Sequence, residues 1–137
     1  MKLSNLEKKT VLVVEDERPL AEAIKTKLMK TGFDVVSART VVQALQYLEE
    51  GVKIDAIWLD HYLLGSENGL DFVTKTKDEK SKWKNIPIFV VSNTVSQDKV
   101  QAYLKLGAEK YYTKSNFRLE QIINDICSTL NVKCNKI

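Results

Sequence analysis

The sequence predicts an α/β domain in which a parallel sheet of five strands lies between two layers of helices. Strand-like and helix-like segments alternate five times along the 137 residues, and the first strand-like run, "TVLVVED", is continuously apolar. Strands covered on both faces have continuous apolar runs, whereas strands with one solvated face alternate. Strict alternation of strands with helices favours parallel pairing through helical crossovers.

Each predicted strand is followed by a predicted helix. The strands are "TVLVVED", "FDVVSA", "IDAIWLD", "IPIFVVSN" and "KYYTK". Thr40 and Ser96 are expected to be N-caps, and Gly32 and Gly107 are expected to end helices. The third helix is predicted over residues 69–80. The last helix has an apolar face with the helical spacing that packing against a sheet requires.

Composition indicates one globular domain, with 44% hydrophobic and 28% charged residues. We expect an N-terminal extension over 1–9, a folded domain over 10–131 and a tail over 132–137. The chain has no apolar stretch long enough to span a membrane and no signal-peptide core, so a cytoplasmic location is expected. The net charge of +3 and the acids within the lysine-rich 75–84 segment favour a solvated surface over direct nucleic-acid binding.

The two cysteines, Cys127 and Cys134, do not have metal-ligand spacing. Cys127 lies in an apolar helical pattern and is expected to fill the core. Cys134 lies in a polar segment and is expected to be a free thiol, because disulfides are rare in the cytosol.

Polar side chains follow four of the predicted strands at the point where each strand ends. Glu15 and Asp16 end the first strand, Asp60 the third, Ser92 the fourth and Lys114 the fifth. Each alone has an ordinary interpretation as a turn or capping residue. In an open parallel sheet, however, the functional crevice lies beyond the carboxyl ends of the strands, so we expect the five side chains to meet there.

Three carboxylates at one sheet edge require a cation. Two unit charges about 4 Å apart repel by on the order of 4 kcal/mol at an effective dielectric near 20. Oxygen ligands in this number suit Mg²⁺, while Lys114 neutralises more charge and Ser92 offers a donor to an oxyanion. The set predicts a site for a phosphoryl group beside Mg²⁺, with a carboxylate as the nucleophile.

The motifs "VLVVEDE", "IDAIWLD", "IPIFVVSN" and "KLGAEKYYTK", in this order, resemble the receiver domain of two-component response regulators, the CheY-like family. The resemblance covers nearly the whole chain, roughly residues 10–130. It implies a doubly wound, three-layer (βα)5 flavodoxin-like fold with strand order 2-1-3-4-5. It also implies that the chain is a phospho-acceptor, which promotes its own phosphorylation and dephosphorylation, and not an enzyme with a separate substrate.

For the acceptor and the metal, the resemblance implies the following roles. Asp60 would accept a phosphoryl group from a histidine kinase or a phosphotransfer protein. Asp16 and Asp60 would bind Mg²⁺ directly, Glu15 would act through water, and the backbone carbonyl of Tyr62 would complete the protein's ligands.

For the response to phosphorylation, the resemblance implies a switch and an output surface. Ser92 would turn toward the phosphoryl group, Lys114 would pair with it, and Tyr111 would move inward. The output surface would comprise the fourth helix, fifth strand and fifth helix, where Lys105 and Lys110 favour an acidic protein partner. Homodimerisation on phosphorylation is left open.

The chain also departs from the family pattern. Ser115 follows the lysine where a proline is usual, Leu64 replaces a loop proline, and Asn93 is bulkier than the usual Ala or Gly. Tyr62 and Thr94 occupy positions that tune attack of water on the acyl phosphate in this family. Our hypothesis is that Tyr62 shields the phosphoryl group and slows its loss.

Other functions are less consistent with the sequence. A receiver-like module that works without phosphorylation would usually lack part of the acid pair, acceptor and lysine. A haloacid-dehalogenase-type phosphatase would have a second Asp where Tyr62 stands, and a flavodoxin would have a Ser/Thr/Gly-rich first loop. The only histidine, His61, is expected to point away from Asp60 because side chains alternate along a strand. A stand-alone receiver and one cut from a longer regulator both remain open.

Overall fold

A five-stranded parallel sheet organises the fold, in the order β2-β1-β3-β4-β5. The structure is a computed structural model that describes residues 8–93 and 96–135. The strands are β1 (Thr10–Val14), β2 (Asp34–Ala38), β3 (Ala56–Leu59), β4 (Ile88–Ser92) and β5 (Lys110–Thr113). The predicted α/β class and strand order are both confirmed.

Five α-helices cover the two faces of the sheet. They are α1 (Arg18–Thr31), α2 (Val41–Glu49), α3 (Gly69–Thr76), α4 (Gln97–Leu106) and α5 (Leu119–Leu130). Helices α1 and α5 contribute to one apolar core, and α2, α3 and α4 contribute to the other. In the described part of the chain, none of the helices has the length and apolar character needed to cross a membrane.

The central strands are buried because both of their faces are covered. In β1, Val11 and Val13 face the core with α1 and α5, whereas Leu12 and Val14 face the core with the other three helices. All four side chains of β3 have no exposed surface, including the large indole of Trp58. These strands therefore hold their carboxyl ends rigidly, which is what a site at this edge requires.

The predicted caps are present. The Thr40 hydroxyl accepts a hydrogen bond from the Gln43 backbone N–H at 3.0 Å and begins α2. The Ser96 hydroxyl accepts one from the Lys99 N–H at 3.3 Å and begins α4. Gly107 ends α4 with a φ of 112°, which is a left-handed conformation that favours glycine.

The third helix is shorter than predicted. It ends at Thr76 and not at Lys80. The Lys77 ammonium group donates hydrogen bonds to the carbonyls of Lys84 at 2.7 Å and of Ile86 at 2.6 Å. These contacts fold the following segment back toward β4. The sequence pattern extended the helix because lysines and acids are compatible with helical structure until a tertiary contact ends it.

The prediction of a free thiol at Cys134 is wrong. Cys127 and Cys134 form a disulfide, with their Cα atoms 6.1 Å apart. The chain reverses after α5 at Asn131, which has a left-handed φ of 55°, and the Val132 N–H donates to the Cys127 carbonyl at 3.0 Å. This turn returns Cys134 to the helix, and no residue pattern in the sequence indicated it.

Removing the cap of α2 tests the local origin of the fold. We expect Thr40→Ala to lower the free energy of unfolding by about 1 kcal/mol, because the Gln43 N–H loses its partner. Urea denaturation followed by circular dichroism measures this change. Thr40→Ser keeps the hydroxyl and should stay close to the wild type. Equal stability of the alanine and serine variants would show that the cap contributes nothing.

Candidate functional site

The acidic residues that follow β1 and β3 meet at one edge of the sheet. Val14 and Leu59 are register partners, so Glu15 and Asp60 leave adjacent strands side by side. One carboxylate oxygen from each of Glu15, Asp16 and Asp60 lies within 4.8 Å of the others. Glu15 is 2% exposed and Asp60 4% exposed, whereas Asp16 is half-buried. The predicted convergence of these three residues is what the structure shows.

Lys114 reaches this cluster from the end of β5. Its ammonium group lies 3.1 Å from Glu15 Oε1 and 3.1 Å from Asp60 Oδ2. Burial lowers the pKa of Lys114, but the charges of Asp60 and Glu15 and the hydrogen bonds to them outweigh burial and raise it. Lys114 is therefore charged at neutral pH, and it holds Oδ2 of Asp60 in place.

Backbone N–H groups hold the other carboxylate oxygens of Asp60 and Glu15. The His61 N–H donates to Asp60 Oδ1 at 2.7 Å, and the Glu17 N–H donates to Glu15 Oε2 at 3.1 Å. Burial, followed by the negative charge of Asp60, raises the pKa of Glu15 to about 7. A proton on Glu15 and a cation between the carboxylates are thus alternative ways to relieve the same repulsion.

Arg39 contacts the site although the sequence analysis did not select it. Its guanidinium group donates to the Asp16 carbonyl from Nε at 3.3 Å and from Nη2 at 3.0 Å. The contact fixes the backbone of the loop after β1. Arg39 directly follows β2, so the rule that selected the other strand ends would have found it had it been applied to all five strands.

The ring of His61 forms a hydrogen bond with helix α4. Its Nδ1 atom forms a 2.6 Å hydrogen bond with the Tyr103 hydroxyl of α4, and both residues are buried. Burial, followed by the charge of Lys99, lowers the pKa of His61. Tyr103 was not selected from the sequence, because a tyrosine on the apolar side of a helix is most often a core residue.

Ser92 and Tyr111, which were assigned to the switch, and Tyr62, which was assigned to shielding, differ in burial and contacts. The Ser92 hydroxyl is fully buried and has no hydrogen-bond partner among the residues that the structure describes. Tyr111 is half-buried, and its ring centroid lies 5.8 Å from that of Tyr103. The Tyr62 side chain is 55% exposed, with the Lys99 ammonium group 5.5 Å from its ring centroid.

The structure describes Ser115 and Asn93, two of the residues that depart from the family pattern. Ser115 lies in a short 3₁₀ turn over 114–116, and the peptide bonds within the described ranges are all trans. Asn93 is exposed next to the buried Ser92. Thr94 lies outside the described residues.

Comparison with known proteins identifies the family. A family model described as the response regulator receiver domain matches residues 11–126. The chain belongs to this family. It is 30% identical over 105 residues to the chemotaxis protein CheY1 of Helicobacter pylori, covering 76% of this chain and 83% of that protein. The protein is thus a receiver domain of the two-component response regulators.

A longer relative and a solved structure agree with this assignment. The phosphate regulon transcriptional regulatory protein PhoB of Pseudomonas aeruginosa is 31% identical over 106 residues, which are 77% of this chain and 45% of that regulator. The receiver therefore spans less than half the length of PhoB. The Francisella response regulator 1452 receiver domain has the same fold, with a TM-score of 0.80, 24% identity and coverage of 90% of this chain and 98% of that one.

The raised pKa of Glu15 makes cation binding dependent on pH. Below about pH 7 Glu15 is protonated, and a cation at this cluster would favour loss of that proton, so affinity for a cation should increase as pH rises through 7. We expect Mg²⁺ to bind about tenfold more weakly at pH 6 than at pH 8, as displacement of one proton predicts.

Isothermal titration calorimetry at both pH values measures this difference. Glu15→Gln removes the titrating group and should reduce the dependence to about twofold or less. An equally steep dependence in this variant would assign the proton to another residue.

Proposed function

We propose that this receiver accepts a phosphoryl group on Asp60 in a Mg²⁺-dependent reaction and thereby changes a protein-binding surface. The observation that carries the proposal is the buried Asp60 carboxylate, which lies beside two further acids and 3.1 Å from Lys114. A carboxylate in this environment is a nucleophile held in one orientation, with the Lys114 ammonium group beside it to offset the charge that a phosphoryl group brings.

In the proposed transfer, an Asp60 carboxylate oxygen attacks the phosphorus atom of a phosphohistidine on the donor protein. An O–P bond forms on Asp60, the N–P bond of the donor breaks, and the leaving imidazole nitrogen keeps the electron pair. Lys114 remains paired with the growing negative charge, since it already contacts Asp60 Oδ2. The chain therefore supplies the acceptor and orients it, while the donor supplies the activated phosphorus.

The donor set fits Mg²⁺, because it consists of carboxylate oxygens that crowd one another in the absence of a cation. Asp16 and Asp60 would bind the ion directly, the Tyr62 carbonyl would be the third direct protein ligand, and Glu15 would act through water. When bound, the ion neutralises charge on the transferred group. Arg39 supports this arrangement by holding the Asp16 backbone.

The response to phosphorylation would involve Ser92 and Tyr111. The buried Ser92 hydroxyl, which has no hydrogen-bond partner among the described residues, can donate to a phosphoryl oxygen, and Tyr111 lies on the neighbouring strand β5. The proposed output surface comprises exposed residues of α4, β5 and α5. Its apolar members include Leu104 and Leu106, which are 41% and 37% exposed.

The charges on this surface indicate the chemistry of its partner. Lys105 is exposed between the two leucines and favours an acidic protein partner. Lys110 of β5 is also exposed, with its ammonium group paired with Asp125 at 3.3 Å, and an acidic partner would compete for this pair. The upstream partner is a histidine kinase or a phosphotransfer protein. Since the chain corresponds to less than half of PhoB, an output domain on the same polypeptide and a separate output protein are both compatible with the proposal.

Phosphorylation by a small donor tests the proposed function directly. Incubation with Mg²⁺ and acetyl phosphate should add one phosphoryl group to the intact mass, with acetate as the leaving group. Asp60→Asn and a sample without divalent cations should show no gain.

A folded wild-type protein that gains no phosphoryl group from acetyl phosphate or from a phosphohistidine donor would contradict the proposal. It would instead support an interaction module that works without phosphorylation. Mg²⁺ binding, followed through the fluorescence of Trp58, distinguishes a misfolded site from an inactive one, because this indole lies two residues from Asp60.

The exposed Tyr62 ring is expected to slow hydrolysis of the acyl phosphate by restricting the approach of water. Tyr62→Ala should shorten the lifetime of the phosphorylated form several-fold. Tyr62→Phe keeps the ring and should preserve the lifetime. Loss of the phosphoryl group is followed by intact mass after removal of acetyl phosphate, and equal rates in the wild type and in Tyr62→Ala would reject the shielding role.

A further inference from the structure

The buried hydrogen bond between His61 and Tyr103 joins the acceptor to helix α4. His61 Nδ1 and the Tyr103 hydroxyl are 2.6 Å apart, and the two residues are 3% and 0% exposed. A hydrogen bond in such an environment is costly to break, since neither partner can bind water instead. The bond also spans 42 residues of sequence, so it connects two elements that are otherwise separate in the chain.

His61 contacts both Asp60 and Tyr103. Its backbone N–H donates to Asp60 Oδ1 at 2.7 Å, and its ring holds Tyr103. Any change in the charge of the Asp60 carboxylate therefore acts on the residue that holds α4. Phosphorylation is such a change, because an acyl phosphate no longer offers the carboxylate charge that strengthens the His61 N–H bond.

Helix α4 depends on Tyr103 for its attachment. All ten residues of α4 are described, and Tyr103 is the only one of them that is buried. Its hydroxyl reaches the start of α3, where it lies so close to Gly69 that a Cβ atom at this position would overlap it. The Tyr103 ring also neighbours Tyr111 of β5. One side chain thus links α4 to the acceptor loop, α3 and β5.

We propose that Tyr103 is a positioning residue that, through its hydrogen bond to His61, couples the phosphorylation state of Asp60 to the position of α4. The inference rests on the proposed phosphorylation of Asp60. It adds a route through the residue after the acceptor to the one through Ser92 and Tyr111, and the two routes meet where the Tyr103 ring neighbours Tyr111. Because coupling between two sites is reciprocal, a partner bound to α4 also acts on Asp60 through this bond.

Hydrogen–deuterium exchange of the α4 amides, residues 97–106, tests the coupling. The rates are compared without and with Mg²⁺ and acetyl phosphate, and samples are matched for phosphorylation by intact mass. In the wild type, we expect phosphorylation to change exchange in α4 several-fold. Tyr103→Phe keeps the ring and loses the hydroxyl. In this variant, the logarithm of the ratio of the exchange rates with and without phosphorylation should be less than half of the wild-type value.

Two further variants and one control complete the experiment. His61→Leu removes the same bond from the other side and retains Tyr103, so it replaces Tyr103→Phe if the latter does not fold. The double variant should respond like either single variant, because each removes the same interaction. Tyr112→Phe is the matched control: it removes a buried tyrosine hydroxyl bonded to Asp125 at 2.6 Å, on the other face of the sheet, and should keep the wild-type response.

The outcomes separate this inference from the proposed function. Failure of the wild type to accept a phosphoryl group refutes the proposed function, and the coupling with it. A phosphorylated wild type without a change in α4, or a full change in both Tyr103→Phe and His61→Leu, refutes the coupling alone. If Tyr103 had a purely structural role, Tyr103→Phe would raise α4 exchange equally in the phosphorylated and the unphosphorylated protein. The difference between the two states would then stay intact, and this result would also refute the coupling.

Discussion

The repulsion among Glu15, Asp16 and Asp60 is the constraint on which the site depends, because their oxygens lie within 4.8 Å and two of the residues are almost fully buried. The fold holds these acids together through β1 and β3, whose apolar side chains leave the strands no freedom to move apart. Lys114 relieves part of the repulsion from β5. Removing Lys114 would leave the buried acids without their counter-ion, which is strongly destabilising, whereas removing one of the acids would relieve repulsion. The acids therefore need positive charge beside them, and the repulsion that Lys114 leaves uncompensated is what a bound cation would relieve.

Much of the fold and of the acidic site follows from the sequence, and the reasons are local. Burial on both faces makes β1 and β3 continuously apolar, and the end of a parallel strand has a fixed place in the sheet. Asp60 and Lys114 could be located by this rule alone. The rest depends on the direction of side chains across long loops. The contact of His61 with Tyr103 and the turn at Asn131 that pairs the cysteines have no periodic pattern in the sequence.

The attachment of α4 is consistent with its proposed role in the response. An element that must change its position on phosphorylation cannot be packed as firmly as the core. Most side chains of α4 are exposed or half-buried, and Tyr103 provides its anchor. Lys99 of the same helix lies over the ring of Tyr62, beside the acceptor. Helix α4 thus has one buried side chain and contacts two residues after Asp60, His61 and Tyr62, so a chemical change at Asp60 could reach the helix without disrupting the sheet.

The position of Lys114 in the chain also has a consequence for folding kinetics. Its two ion pairs join residues 99 and 54 positions apart, so they form only after most of the chain has been arranged. Pairing of β1 with β3 brings the acids together, and both strands precede Lys114 in the sequence. Non-local pairing of this kind slows folding, because loop entropy is lost before the contacts form. A divalent cation that binds the acids would stabilise the pairing of β1 with β3, and its concentration would then influence the folding rate to the extent that this pairing is formed in the transition state.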